Sequence, residues 1–190
     1  MDPEATQPQH EAPQETSSGH SALSLLGNVA ASIVLAVVVI VFIYQPVKVE
    51  GTSMMPGLTD QERIFINKYT YRLGVDSIGR QDLVVFHYPY DPTQSYIKRI
   101  IGLPGDTVEI KDGKVYVNSQ KLDEPYVPEE YLDPVRTNQK WVVPQGKYFV
   151  LGDHRNSSND SRVWGFVGRT AIYGKAVFVY WPLERIGPVR

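Results

Sequence analysis

The chain has 190 residues, a formal net charge of -2 and no cysteine. That length suits one domain with an appendage. The charge leaves no basic excess to suggest nucleic acid. The lack of cysteine excludes a disulfide framework, a thiol nucleophile and a zinc-thiolate site.

Residues 1–21 read as a polar tail rich in Pro, Gln, Glu and Ser, with Asp2, Glu4, Glu11 and Glu15 and no Lys or Arg. Such a segment buries too little apolar surface to order itself. Residues 22–45 read as a membrane anchor. Ala22 to Tyr44 carries no charge, and from Val29 on the only polar residue before Tyr44 is Ser32. At ~1.5 Å per residue this run makes a helix of roughly 34 Å, enough for a bilayer core of ~30 Å. A cleaved leader would want basic residues before the run and a small-x-small site after it. Here the preceding segment is acidic, and Gln45-Pro46-Val47-Lys48 follows. The charge count around the helix, with Lys48, Arg63 and Lys68 after it and none before, points the large domain toward the cytoplasm.

Residues 46–190 read as strands and turns. Fourteen prolines, fifteen glycines and twelve tyrosines fit a loop-rich β fold. Strands are predicted at Arg63–Asn67, Asp82–Phe86, Tyr96–Ile101, Tyr148–Leu151 and Ala176–Tyr180. Val108–Lys111 and Lys114–Val117 alternate in period two around Asp112-Gly113, a two-residue hairpin signal. Residues 119–145 are polar and read as a surface excursion. The expected fold is mainly β, an antiparallel barrel or sandwich with an inserted ribbon at about 107–147, preceded by one transmembrane helix.

Three stretches carry chemistry. Gly51-Thr52-Ser53-Met54-Met55-Pro56-Gly57 is unsuited to a helix interior and predicts a bent, edge-like strand presenting Ser53. In Tyr96-Ile97-Lys98-Arg99-Ile100, alternation puts Lys98 on the face of Tyr96 and Ile100. Apolar surroundings would lower the lysine pKa from ~10.4 and leave an amine able to take a proton near neutral pH. Gly152 to Arg162 holds Asp153, Ser158, Asp160 and Arg162. Asp160 and Arg162 share a side if extended and can pair bidentately, and Ser158 can orient a neighbouring amine. A Ser-His-Asp arrangement through His154 or His87 stays open, because a triad is defined by geometry. No His/Asp/Glu set has ligand spacing and no phosphate loop occurs, so neither metal nor cofactor is expected.

Read together, Gly51-Thr-Ser-Met-Met-Pro56, Tyr96-Ile-Lys-Arg-Ile-Ile-Gly-Leu-Pro-Gly-Asp106 and Gly152-Asp-His-Arg-Asn-Ser-Ser-Asn-Asp-Ser-Arg162 closely resemble, in order, the sequence boxes of bacterial type I signal peptidases. Asp82-Leu-Val-Val-Phe86 resembles the box between the first two, and the likeness runs from about residue 45 to the end. The resemblance implies a membrane-bound serine-lysine endopeptidase that removes signal peptides from exported preproteins through an acyl-enzyme. It implies Ser53 as nucleophile, Lys98 as general base, Ser158 as a serine bonding the lysine, Asp160 with Arg162 as a supporting ion pair, and Asp153 as an acidic residue near the site. It implies an oxyanion donor in the Ser53 N–H. Substrate would lie extended between the segments around Val47–Ser53 and Gln94–Lys98. Val49, Met54, Leu58, Tyr96 and Ile97 match positions lining pockets for small side chains at the first and third residues before the cut. The implied partners are preprotein signal peptides, the lipid bilayer and the secretion translocon. The implied place is the plasma membrane, single-pass, with an extracytoplasmic site, against the charge count above. Gly51, Gly57 and His154 depart from the commoner family residues, none of them catalytic. The rival classes are a self-cleaving repressor, which would need a DNA-binding domain, and a membrane-anchored β module that binds exported chains without cutting them.

Overall fold

The structure is a computed structural model. It describes residues 18–69, 78–135 and 138–189. Most of the acidic tail therefore lies outside the described residues. The chain divides into two units at Val38/Val39, each considered by itself.

A helix, α1, runs over Ser18–Ile43. Its side chains at Leu25, Leu26, Val29, Ile33, Val34 and Leu35 are exposed. Ser32 Oγ donates to Asn28 O at 2.8 Å, so the polar group in this apolar stretch is satisfied within the helix. Among the described residues, no helix is long and apolar enough to cross a membrane. The helix ends sooner than the expected segment, because Gln45 precedes Pro46 and that position is pushed out of the α region.

Among the described residues twelve strands follow: β1 (Tyr44–Lys48), β2 (Arg63–Asn67), β3 (Leu83–Tyr88), β4 (Asp91–Gly102), β5 (Thr107–Lys111), β6 (Lys114–Val117), β7 (Gln120–Lys121), β8 (Gln139–Val142), β9 (Lys147–Leu151), β10 (Val167–Gly168), β11 (Ile172–Trp181) and β12 (Gly187–Pro188). The larger sheet has the order β1-β2-β11-β3-β4-β9-β10, with β12 beside β11, and its recorded pairings are antiparallel. The smaller sheet has the order β7-β6-β5-β8. Its β5–β6 hairpin turns on Asp112 and Gly113, both at positive φ (49° and 72°), as a two-residue primed turn requires. The polar stretch at 119–145 is less peripheral than expected, since β8 pairs with β5 inside it.

The fold is mainly β with antiparallel sheets, and of the expected barrel or sandwich a closed barrel is not formed among the described strands. Closure would need another strand on the outer edge of β1. That strand pairs only with β2, and the Ser95–Lys98 part of β4 pairs only with β3. A groove occupies the space between these two edges. Strand β3 shows why the sheet is stable without closure. Val84 and Phe86 enter one apolar cluster while Leu83 and Val85 enter another, so the strand is buried on both faces. A third cluster joins Val108, Ile110, Val115 and Val117 of the smaller sheet to Ile101, Phe149 and Leu151.

Candidate active site

The Ser53 stretch is a series of turns between β1 and β2, not the edge-like strand expected. Met55 N–H donates to Thr52 O at 3.1 Å and Leu58 N–H to Met54 O at 2.9 Å. Met54 and Leu58, on either side of Pro56, are fully buried with Val49, Ile64 and Val85. These two side chains anchor the turn, so the backbone at Ser53 is held by core packing.

Lys98 lies on β4, opposite Val84 of β3. Its Nζ is 2.7 Å from Ser53 Oγ and 3.1 Å from Ile97 O. It also lies 5.5 Å from the centre of the Tyr96 ring, the face that alternation predicts. The lysine is only 5% exposed. Burial brings its pKa down to about 8, while the charges of Asp160 and Asp153 oppose the fall. A neutral amine is therefore accessible near physiological pH. In that state Ser53 can donate its hydroxyl proton into the Nζ lone pair.

The segment 152–162 wraps against this pair. His154 N–H donates to Ser53 O at 3.1 Å, tying the two stretches together. Asp160 caps the short helix α2 (Ser161–Trp164) and accepts from Arg162 N–H at 3.2 Å. The Arg162 guanidinium bonds both Asp160 oxygens, each at 2.8 Å. The bidentate pair thus forms across a helix start, where both residues fold back, and not along an extended segment. Asp160 Oδ2 also accepts from Gly152 N–H at 3.1 Å. Ser158 is buried with its hydroxyl packed against Gly152, beside the Ser53 carbonyl.

Asp153 is wholly buried and binds Arg99 with both oxygens, at 2.9 and 2.6 Å. Burial pushes its carboxyl pKa up, against the pull of Arg99. Arg99→Met should therefore lower stability by about 3–5 kcal/mol, because a buried carboxylate loses its counter-ion. Urea unfolding tests this, and an unchanged midpoint would refute the pairing.

Several supporting residues are not evident from the sequence. Glu124 takes a bidentate grip on the buried Arg155 guanidinium. Asp133 holds Arg162 at 3.0 Å, and Tyr126 stacks on Arg99 at 3.8 Å. These three side chains come from the polar stretch read as a surface excursion. The local signal available was only the presence of acids there, and nothing local names their partners.

The two candidate histidines, His154 and His87, are engaged elsewhere. The His154 ring lies 3.2 Å from Thr52 O and stacks on Tyr131, with centroids 4.0 Å apart. His87 stacks on Tyr173 at 4.7 Å. The group in contact with Ser53 Oγ is Lys98.

Beside Ser53 and Lys98 lies a groove of about 380 Å³, lined by Val47, Val49, Ile64, Val85, Tyr96, Ile97 and Tyr173 among others. Val49, Tyr96 and Ile97 of the expected pocket residues line it, whereas Met54 and Leu58 lie in the packed layer that supports Val49. Among the described residues, no His/Asp/Glu cluster could hold a metal.

Residues 23–181 match the family described as signal peptidase, peptidase S26. A probable signal peptidase I-1 of Synechocystis is 40% identical, with 82% of this chain and 81% of that protein covered. Signal peptidase I of Bacillus licheniformis is 36% identical over 91% and 96%. Signal peptidase IB of Staphylococcus aureus is 38% identical over 83% and 88%. The crystal structure of a signal peptidase I from Enterococcus faecalis is 34% identical and superposes with a TM-score of 0.47, covering 53% of this chain and 97% of that one. The chain belongs to the signal peptidase family, peptidase S26.

Proposed function

We propose that this serine endopeptidase removes signal peptides from exported preproteins with a Ser53–Lys98 dyad. The observation that carries the assignment is the buried lysine amine 2.7 Å from the serine hydroxyl, beside a groove partly lined by Val47, Val49, Ile64, Val85 and Ile97. Neutral Lys98 takes the Ser53 proton as Oγ bonds to the scissile carbonyl carbon. The oxyanion accepts from the Ser53 N–H. Lys98 then gives its proton to the leaving amine, the C–N bond breaks, and an acyl-enzyme ester remains. A water loses a proton to Lys98, attacks the ester and releases the acid, and the proton returns to Ser53. In this scheme Ser158 steadies the amine, while Asp160, Arg162 and Asp153 fix its surroundings and favour the ammonium intermediate. None of these steps calls for a metal or cofactor.

The preprotein lies as an added strand between β1 and the Ser95–Lys98 edge of β4. Alternate side chains then meet the groove floor of Val49, Ile64, Val85 and Ile97, which has room for small residues at the first and third positions before the cut. The layout is a tail at 1–21, an anchor at 22–45 and a catalytic domain at 46–190, with 107–147 inserted. The uncharged run from Ala22 to Tyr44 and the internally bonded Ser32 support bilayer anchoring. The catalytic domain then faces the extracytoplasmic side of the plasma membrane, where cleaved preproteins emerge.

The test is a preprotein with an Ala-x-Ala site, incubated with the full chain in detergent. Cleavage after the second alanine is expected, and changing that alanine to Leu should cost roughly 100-fold in kcat/KM. Binding without any cut would instead make the protein a capture module for exported chains.

A further inference from the structure

Going back along the chain from Ser53, alternate residues are Val49 and then, on β1, Val47 and Gln45, of which Val49 and Val47 line the groove. On β3 the corresponding step runs from Val85 to His87. At that step these alternate residues change from apolar to polar. A separate cavity of about 280 Å³ opens there, lined by Gln45, Lys68, His87 and Tyr173. Tyr173 lines both cavities, so the two adjoin.

This second cavity holds unspent polar capacity. The Tyr173 ring has His87 stacked on it and Lys68 Nζ 5.7 Å from its centre. Among the described residues, no carboxylate pairs with Lys68. The Gln45 Oε1 atom is buried and accepts no hydrogen bond. A buried acceptor without a donor is costly, and turning the Gln45 amide toward the cavity would offer Oε1 to a donor there.

We propose that this cavity is a distal substrate subsite that selects an acidic side chain at the fifth residue before the cut. The inference rests on the peptidase reading above. An extended peptide repeats its side-chain direction every two residues, or ~7 Å. With the first and third residues over the apolar floor, the fifth falls beyond Val47, at Gln45 and Lys68. Lys68 pairs with the carboxylate, and Gln45 Oε1, once its amide turns toward the cavity, accepts a backbone N–H from the same part of the peptide. A lysine at the fifth position meets a like charge. Attraction and repulsion in such a partly exposed site each amount to roughly fivefold.

The test uses synthetic Ala-x-Ala peptides that differ only at the fifth residue before the cut, carrying Glu, Ala or Lys, with kcat/KM read for the full chain in detergent. The expected order is Glu above Ala above Lys, with steps of roughly fivefold. Lys68→Ala should flatten the series, and Lys68→Glu should reverse it. A flat series with wild type, or one unchanged by Lys68→Glu, overturns the subsite while leaving the peptidase intact. Failure of wild type to cut any of the peptides overturns the peptidase reading, and the subsite with it.

Discussion

Lys98→Met is expected to lower kcat by roughly 10⁴-fold or more, and Ser53→Ala to do the same, while both proteins stay folded. Methionine keeps most of the lysine stem volume, so packing against Tyr96 persists and only the amine is lost. The two losses should not add, because on the proposed mechanism each removes one half of a single proton-transfer unit. The pH profile carries the same prediction in another form. On the proposed mechanism the active amine is the neutral one, and burial brings its pKa down to about 8. In wild type, kcat/KM should therefore rise about tenfold per unit as pH increases toward 8, then level off. At pH 7 roughly a tenth of the enzyme carries the neutral base. The nearby carboxylates keep the pKa from falling further, so Asp160→Asn should move the midpoint to lower pH. Single-turnover cleavage across pH 6 to 10 reads all of this. A midpoint near an ordinary lysine value would refute the buried base. If Lys98→Met kept its rate while His154→Ala lost it, a histidine would be the proton acceptor.

How much of this was legible in the sequence depended on the range of the interaction. Arg63–Asn67 is a strand with the bounds its apolar alternation predicts. The Asp112-Gly113 hairpin is equally local, since two residues set its geometry. The position of Lys98 over Tyr96 follows from the two-residue period of β4. The turn at Ser53 is different. Its shape is set by Met54 and Leu58 sinking into a cluster contributed by β2, β3 and β11, which no local pattern announces. Glu124, Tyr126 and Asp133 look like surface residues by composition, and only the third dimension brings Arg155, Arg99 and Arg162 to them. The open edge between β1 and β4 was also beyond reach, because alternation predicts strands without saying which edges stay unpaired.

The second large effect is expected at a residue with no reactive group. Gly152→Ala should lower kcat by roughly 100-fold or more, with a smaller change in KM. Gly152 is not at positive φ, so its need is space and not conformation. A Cβ there would lie 2.2 Å from Ser158 Oγ, 2.6 Å from Ser158 Cβ and 2.5 Å from Ser53 O. All three distances are far inside contact. The Gly152 backbone cannot easily give way, because its N–H is bonded to Asp160 and its carbonyl to Arg155 Nε at 3.0 Å. The Ser53 carbonyl, in turn, is held by His154 N–H. The methyl group must therefore displace Ser158, Ser53 or both, and an ångström at the nucleophile is enough to spoil attack geometry. Overpacking should also cost about 1–3 kcal/mol of stability. KM should change less, since Gly152 does not line the groove. Steady-state kinetics and urea unfolding of the same preparation separate the two effects. Activity within twofold of wild type in a folded Gly152→Ala protein would mean that this close approach does not set the position of Ser53.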